Sequence, residues 1–517
     1  MRNNVGLLLG KRAQLSPRLE ALVEPGGRRL CFAELDARAN RSARALAERG
    51  IAKGDRVALL LMNGAEFIES FFGLAKLGAV VVPVNWRLAP DELAFILKDS
   101  GSRALVYGSE FAEAVADLHG RGREGTCVEH WVQVGATSPR PDFAEDYDEI
   151  QARASDAAPE ITASDDDLLF IMYTSGTTGL PKGAVHTHAS SLWAVLTIAA
   201  TADLRFKDRY LLALPLFHVG ALTPLACNVY RGSTSVVLRS FDPLRSWELI
   251  RDEQITTALA VPAMLNFMLQ AYEKVKDRYR IPAQLRWIMS GAAPVPVTLI
   301  EAYAALGVEI HQVYGLTESC GPACLTSPDE ALAKVGSTGK PFFHTEVRVV
   351  DEAGNDVAPG APGEVIVRGP HVMKEYWRRP EATAETIRDG WLHTGDVATL
   401  DKDGCVYILD RTKDMIISGG ENVYPAEIEN VILSHPKVAE VAVIGQPSAR
   451  WGESPLAVVV RAAPDLGSEQ VLEHCQGKLA RYKVPKGVEF VDEIPRNPSG
   501  KVLKRLLRER FPGPARD

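Results

Sequence analysis

Leu168-Leu-Phe-Ile-Met-Tyr173-Thr174-Ser175-Gly176-Thr177-Thr178-Gly179-Leu180-Pro181-Lys182-Gly183 is the stretch on which the reading of this chain turns. Its first part is apolar and predicts a buried strand over 168–173. The rest crowds hydroxyls and glycines around one lysine. Glycines let backbone N–H groups approach an anion, hydroxyls donate further hydrogen bonds, and Lys182 adds charge. A strand running into such a loop is a phosphate cradle. The Walker motif is the obvious rival, but it needs four residues between its glycines and a hydroxyl residue after its lysine. Here two residues separate Gly176 from Gly179, and Gly183 follows Lys182.

Outward from this loop, the first half alternates short apolar runs with amphipathic ones. The pattern predicts strands over 56–61, 79–84 and 104–107, and helices over 65–77 and 90–98. Beyond residue 165 it returns with strands over 168–173, 210–214, 235–238, 258–261 and 287–290, and helices over 190–202, 244–253 and 297–305. This is βαβ grammar, and it implies parallel sheets covered by helices. The stretch from Gly135 to Asp167 is the most loop-like. Near residue 340 the grammar changes: strands over 346–350, 364–368 and 405–409 lie between turn signals such as Pro362-Gly363 and Asp403-Gly404, which predicts a small antiparallel barrel or sheet. An α+β piece follows Asp410, with helices over 426–434 and 469–479 and strands over 438–444, 457–461 and 488–490.

The chain has 517 residues, and at ~150 residues per domain that implies about three units. Fifty-eight basic residues against 66 acidic ones give a net charge of −8, without a basic run, which argues against nucleic acid as a partner. The seven cysteines are scattered, with no CxxC pair, so neither a disulfide frame nor a zinc site is expected and a reducing cytoplasm fits. The apolar run Val5–Leu9 is too short for a signal-peptide core. Tyr210 to Tyr230 is long enough to span a bilayer, but Pro215, Pro224, His218 and Asn228 favour a buried segment.

Further motifs follow the cradle in a fixed order. They are Leu214-Pro-Leu-Phe-His218, Ser290-Gly291-Ala292-Ala293-Pro294, Gln312-Val-Tyr314-Gly315-Leu-Thr317-Glu318, Thr394-Gly395-Asp396, Asp410-Arg411, Ser418-Gly419-Gly420-Glu421-Asn422 and Pro495-Arg-Asn-Pro-Ser499-Gly500-Lys501. Together with the cradle they resemble the adenylate-forming superfamily: acyl- and aryl-CoA synthetases, luciferases and nonribosomal adenylation domains. The resemblance covers essentially the whole chain.

That resemblance implies a fold and a set of roles. The fold is α/β: a large N-terminal body, residues 1–411, of two doubly wound subdomains plus a small β-barrel, and a mobile α+β C-terminal domain, residues 412–517, that swings about Lys413. ATP, Mg²⁺ and coenzyme A are the implied cofactors. Thr174, Ser175, Gly176, Thr177, Thr178, Gly179 and Lys182 hold phosphates; Gly291, Ala292, Ala293, Gln312, Tyr314 and Gly315 hold the adenine; Asp396 and Arg411 hold the ribose. Glu318, with Thr317 and the Thr174 hydroxyl, serves the metal and the phosphates. Lys501 is the adenylation lysine, His218 lines the acyl pocket, Gly419 and Gly420 line the CoA channel, and Trp451, Tyr482 and Lys486 touch the CoA nucleotide. Val484 stands where a benzoate-type ligase has arginine, which departs from that pattern.

The physical chemistry agrees. A carboxylate repels nucleophiles, and transfer to AMP gives it a good leaving group. In that step one anion attacks another, so cations must screen them. A carboxylate such as Asp396 accepts two hydroxyls well, and a tyrosine such as Tyr314 offers a flat face. The net charge of −8 must then hide a positive cleft built from Lys182, Arg411, Lys501 and Mg²⁺.

The overall likeness is nearest to bacterial medium- to very-long-chain fatty acyl-CoA synthetases, some of them membrane-associated. Val219-Gly220-Ala221 follows His218 in place of a tryptophan gate, and Gly220 leaves the pocket open. An aryl- or hydroxycinnamate-CoA ligase is the alternative; a carrier-loading enzyme and an inactive binding paralogue stand behind it. Lys11, Arg12, Arg18, Arg205, Lys207 and Arg209 are candidates for weak contact with a lipid surface. Monomer and homodimer both stay open.

Overall fold

The computed structural model describes residues 3–135, 139–174, 181–293, 295–411, 414–418, 421–448, 450–476, 478–496 and 502–513. Its first sheet has eight strands, in the order Glu375–Tyr376, Lys182–Thr187, Leu168–Thr174, Val80–Pro83, Arg56–Leu60, Ala104–Gly108, His130–Val134 and Ala144–Asp146. From Leu168–Thr174 to the Ala144 edge the neighbours run parallel, as the βαβ reading requires. At the other edge Leu168–Thr174 turns back and pairs antiparallel with Lys182–Thr187, which pairs antiparallel with Glu375–Tyr376.

The second sheet has nine strands, in the order Lys340–Pro341, Cys324–Leu325, Glu309–Tyr314, Trp287–Gly291, Thr257–Ala260, Arg209–Leu212, Thr234–Val237, Glu20–Val23 and Arg29–Cys31. Five of these have no strand in the sequence reading: the short pieces Lys340–Pro341, Cys324–Leu325 and Arg29–Cys31, and two longer ones. Glu20–Val23 lies parallel to Thr234–Val237, so the chain begins in the second sheet before it builds the first. Glu309–Tyr314, a motif without a strand assignment, pairs parallel with Trp287–Gly291.

The third unit is an antiparallel five-stranded sheet made of Glu346–Val350, Gly363–Arg368, Trp391–Leu400, Ile387–Arg388 and Val406–Arg411. The fourth sheet comprises Ile416–Ser418, Glu421–Val423, Val438–Ser448, Gly452–Arg461 and Gly487–Phe490, with helices Pro425–Leu433, Ser468–Cys475 and Lys504–Arg510 around it.

The helices follow their apolar faces. Ala65–Leu77 buries Phe67, Ile68, Phe71, Phe72 and Leu74. It stops at Gly78, where φ of +81° is a conformation glycine adopts without cost. Pro90 at the first turn and Gly101 past the end bound the next helix, Pro90–Ser100, in the same way. Tyr210 to Tyr230 is a strand, Arg209–Leu212, and most of a helix, Val219–Arg231, with Pro224 inside it. No helix among the described residues is long and apolar enough to cross a membrane. The stretch read as loop-like carries Ala144–Asp146 and helix Tyr147–Arg153. Asp146 Oδ1 accepts from the Glu149 N–H at 2.9 Å, and Tyr147 and Ile150 are buried beneath the helix, which is why it forms.

Several of the basic residues named for a lipid surface are engaged locally. Arg205 pairs with Asp203 at 2.8 Å, Arg209 with Glu20 and Glu253 at 2.6 Å each, and the Arg12 guanidinium donates to the Val229 carbonyl at 3.1 Å.

Candidate nucleotide and acid site

The two sheets bring their chemistry to the carboxyl ends of parallel strands, the usual place for ligands in open α/β sheets. Thr174 closes strand Leu168–Thr174 opposite Lys182, and its hydroxyl donates to the Lys182 carbonyl at 3.3 Å. Ser175, Gly176, Thr177, Thr178 and Gly179, which join these two paired ends, lie outside the described residues.

Glu318 is held on three sides. Its Oε1 accepts from the Tyr376 hydroxyl at 2.7 Å, and its carbonyl accepts from the Met373 N–H at 2.7 Å. The preceding carbonyl, of Thr317, lies 2.8 Å from His186 Nε2. A carbonyl only accepts, so Nε2 carries the proton. Burial drives the His186 pKa down to about 4, so the ring is neutral at ordinary pH.

Tyr314, at the end of strand Glu309–Tyr314, is 9% exposed and donates its hydroxyl to Asp396 Oδ2 at 2.7 Å. Burial, with the Asp396 carboxylate next, pushes this phenol well above its ordinary pKa, so it stays a donor. Asp396 is 4% exposed and faces Arg411 directly across the ladder of strands Trp391–Leu400 and Val406–Arg411. The expected ribose pair is thus a cross-strand pair, and Tyr314 joins it to the second sheet.

Gly315 and Gly291 mark close backbone approach. A Cβ on Gly315 would fall 1.4 Å from the Gly321 carbonyl oxygen, and one on Gly291 would fall 2.1 Å from that of Val313. Next to Gly291, Ala292 takes φ of +67°, a left-handed conformation uncommon for a residue with a side chain, and Ala293 follows it. Gln312 pairs in register with Ser290. Gln312 Nε2 and Ser290 Oγ are both buried and have no hydrogen-bond partner among the described residues. Such orphan groups fit the polar edge of a base.

His218 is the N-cap residue of helix Val219–Arg231, with its ring 4.5 Å from that of Phe217. A small apolar cavity lies beside this helix, lined by Phe71, Phe170, Val195, Leu222, Ala226 and Cys320 among others. Among the described residues no group of three His, Cys, Asp or Glu side chains is placed to hold a metal. Glu318 is the carboxylate that fits magnesium, which is commonly held by one or two carboxylates plus substrate phosphates.

Lys413, Gly419, Gly420 and Lys501 lie outside the described residues. Trp451 and Tyr482 are each 39% exposed, and each has a neighbouring cation near its ring: Arg450 at 4.8 Å and Lys483 at 5.8 Å. Lys486 is half-buried, and its N–H donates to the Pro455 carbonyl. The sequence reading missed Tyr376 and His186. Tyr376 sits in Lys374-Glu-Tyr-Trp377, which carries none of the glycine and hydroxyl punctuation that marks the other motifs.

The chain matches the family model of AMP-binding enzymes over residues 9–377 and that of the AMP-binding enzyme C-terminal domain over residues 427–501. It is 46% identical to the long-chain-fatty-acid–CoA ligase FadD13 of Mycobacterium tuberculosis, over 98% of both chains. It is 41% identical to a feruloyl-CoA synthase of an Amycolatopsis species, over 97% of this chain and 98% of that one. Among solved structures it is similar to o-succinylbenzoate CoA synthetase (MenE) of Bacillus subtilis in complex with ATP and magnesium: TM-score 0.85, 36% identity, covering 97% of this chain and 99% of that one. With both family models matched in order, the first over more than half of the chain, this chain belongs to the AMP-binding enzymes.

Proposed function

We propose that the protein is an AMP-forming acid–thiol ligase that converts a medium- to long-chain fatty acid to its acyl-CoA. The acid's carboxylate attacks the α-phosphate of ATP, pyrophosphate leaves, and an acyl-adenylate forms. The CoA thiol then attacks the acyl carbon and AMP leaves. The observation that carries this reading is a set of contacts among the motif residues: Tyr314 is bonded to Asp396 and Thr174 to Lys182, while Glu318 is bonded to Tyr376, whose ring lies 5.2 Å from the Lys182 ammonium.

Each residue has a task in that reaction. Asp396 accepts the ribose hydroxyls, and Tyr314 fixes its orientation. Gln312 and Ser290 meet the base edge. Lys182 balances phosphate charge, and Lys501 bridges the attacking carboxylate and the α-phosphate. Glu318, with the Thr174 hydroxyl, would hold magnesium, which when bound would supply positive charge to offset that of the departing pyrophosphate. The apolar surroundings of His218 admit the acyl chain. Residues 412–517 act as a domain that turns about Lys413, bringing Lys501 for the first step and Gly419-Gly420 for the second, while Trp451, Tyr482 and Lys486 hold the CoA nucleotide.

The likeness to a feruloyl-CoA synthase keeps one second reading: a hydroxycinnamate–CoA ligase that uses the same residues with a different acid. Pyrophosphate release measured from acetate to tetracosanoate and over cinnamates, with and without CoA, separates them. Preference for long alkyl acids with CoA-dependent turnover is expected. Preference for cinnamates would replace the acid, and no release with any acid would remove the ligase reading.

A further inference from the structure

Tyr376 has no part in the roles assigned above, yet it touches two groups that handle phosphate there. Its hydroxyl donates to Glu318 Oε1 at 2.7 Å, and its ring centre lies 5.2 Å from the Lys182 ammonium, within reach of a cation–π contact. The residue is 8% exposed, and its backbone is fixed on both sides. Tyr376 pairs with Ala184 in the ladder, the Lys374 N–H donates to the Val185 carbonyl, and the Trp377 N–H donates to the Gly183 carbonyl. Met373, at the start of the same segment, donates its N–H to the Glu318 carbonyl. One short segment therefore clamps both strand Lys182–Thr187 and Glu318.

We propose that Tyr376 is a positioning residue that orients Glu318 for the magnesium ion of the nucleotide and holds Lys182 beside it; this rests on the adenylation reading above. A carboxylate on a free side chain rotates, and ordering it costs rotamer entropy whenever a metal binds. With Oε1 tied by a charge-assisted hydrogen bond, the carboxylate's rotation is restricted in advance and Oε2 would be left for the cation. The aromatic face meanwhile holds the lysine by attraction without a direct ion pair to Glu318, so both charges stay available to the nucleotide. A tyrosine that served only packing would stabilise the fold without moving the metal requirement.

The test uses the full-length enzyme and Tyr376→Phe, which keeps the ring and removes the hydroxyl. In ATP–pyrophosphate exchange, the magnesium concentration for half-maximal rate is expected to rise about ten-fold, with the melting temperature of the free protein little changed. Manganese binding in the presence of ATP, followed by electron paramagnetic resonance, is expected to weaken by a similar factor. Tyr376→Leu should also raise the KM for ATP, because the contact with Lys182 goes too. Tyr376→His, which keeps an N–H donor, should lie nearer the native enzyme than the phenylalanine variant, and serves if that variant folds poorly. Unchanged magnesium and manganese dependence in Tyr376→Phe, while Glu318→Gln shifts both, would overturn the proposal. So would a Glu318→Gln variant with native metal dependence. The manganese measurement needs no turnover, so it decides the point even if no acid is accepted, a result that would remove the ligase reading instead.

Discussion

The Tyr314 hydroxyl and Asp396 Oδ2 are 2.7 Å apart, and this bond fastens the second sheet to the five-stranded unit at the point where the nucleotide sugar is expected. Tyr314→Phe removes a donor from a buried carboxylate. The expected cost is about 1–2 kcal/mol of stability. The KM for ATP should rise several-fold while kcat changes little, because the bond orients a binding group. Denaturant melts and pyrophosphate-exchange kinetics check both parts.

Three buried histidines set the acid limit. Burial drives His186, His188 and His371 each down to about 4, below the ordinary value of 6.5. Between these values the unfolded chain binds protons that the folded one refuses. Stability therefore rises with pH across that window, and is lost as pH falls from about 6.5 to about 4. Each histidine contributes about 1.4 kcal/mol per pH unit there. Urea melts from pH 7 down to about pH 4.5 should show the slope, and His371→Leu should flatten it by one proton. A pH-independent midpoint would contradict this account.

Asp410 links strand Val406–Arg411 to helices Pro425–Leu433 and Lys504–Arg510. Its Oδ2 accepts from the Ala426 N–H at 3.1 Å, in the first turn of helix Pro425–Leu433, and lies 3.8 Å from Lys504 Nζ. That ammonium is also 2.9 Å from Glu429 Oε1. Burial pulls the Lys504 pKa down, but the Glu429 and Asp410 carboxylates outweigh it and the pKa is raised, so the lysine stays charged through neutral pH. Asp410→Ala should cost about 1 kcal/mol as a lost cap and speed amide exchange in helix Pro425–Leu433. Lys504→Met, which removes the buried cation that Glu429 and Asp410 share, should cost about 3–5 kcal/mol. Exchange in helix His188–Thr201 should stay unchanged in both, as mass spectrometry would show.

Gly315→Ala tests the close backbone approach. Its Cβ would collide with the Gly321 carbonyl, which is backbone and cannot swing aside. The turn carrying Thr317 and Glu318 must shift, so MgATP should no longer raise the melting temperature. Protection by MgATP equal to that of the native protein would show that the turn tolerates the change.

Much of this architecture was legible in the chain. Helices Ala65–Leu77 and Val297–Ala305 lie where the apolar spacing puts them, because that spacing is a local property. Glu20–Val23 escaped, since its neighbour Thr234–Val237 is remote in sequence and nothing local announces a partner. Helix Phe32–Ala47 was overlooked among its arginines and alanines, although Phe32, Leu35, Ala39, Ala43 and Leu46 form its buried face. In the site, Glu318, Asp396, Tyr314 and Lys182 announced themselves through glycine- and hydroxyl-marked motifs. Tyr376 and His186 reach the site through contacts to residues far along the chain, and such contacts leave no local pattern.

The placement of Glu20–Val23 also bears on how the protein is born. At ~5–20 residues per second on the ribosome, that segment waits on the order of 10–40 s before Thr234–Val237 emerges to receive it. Through that interval Leu22 and Val23, wholly buried at the end, stay open to other contacts. A chaperone that holds the nascent amino terminus, or a slower codon run before residue 234, would change the yield of native enzyme without altering one atom of the finished fold.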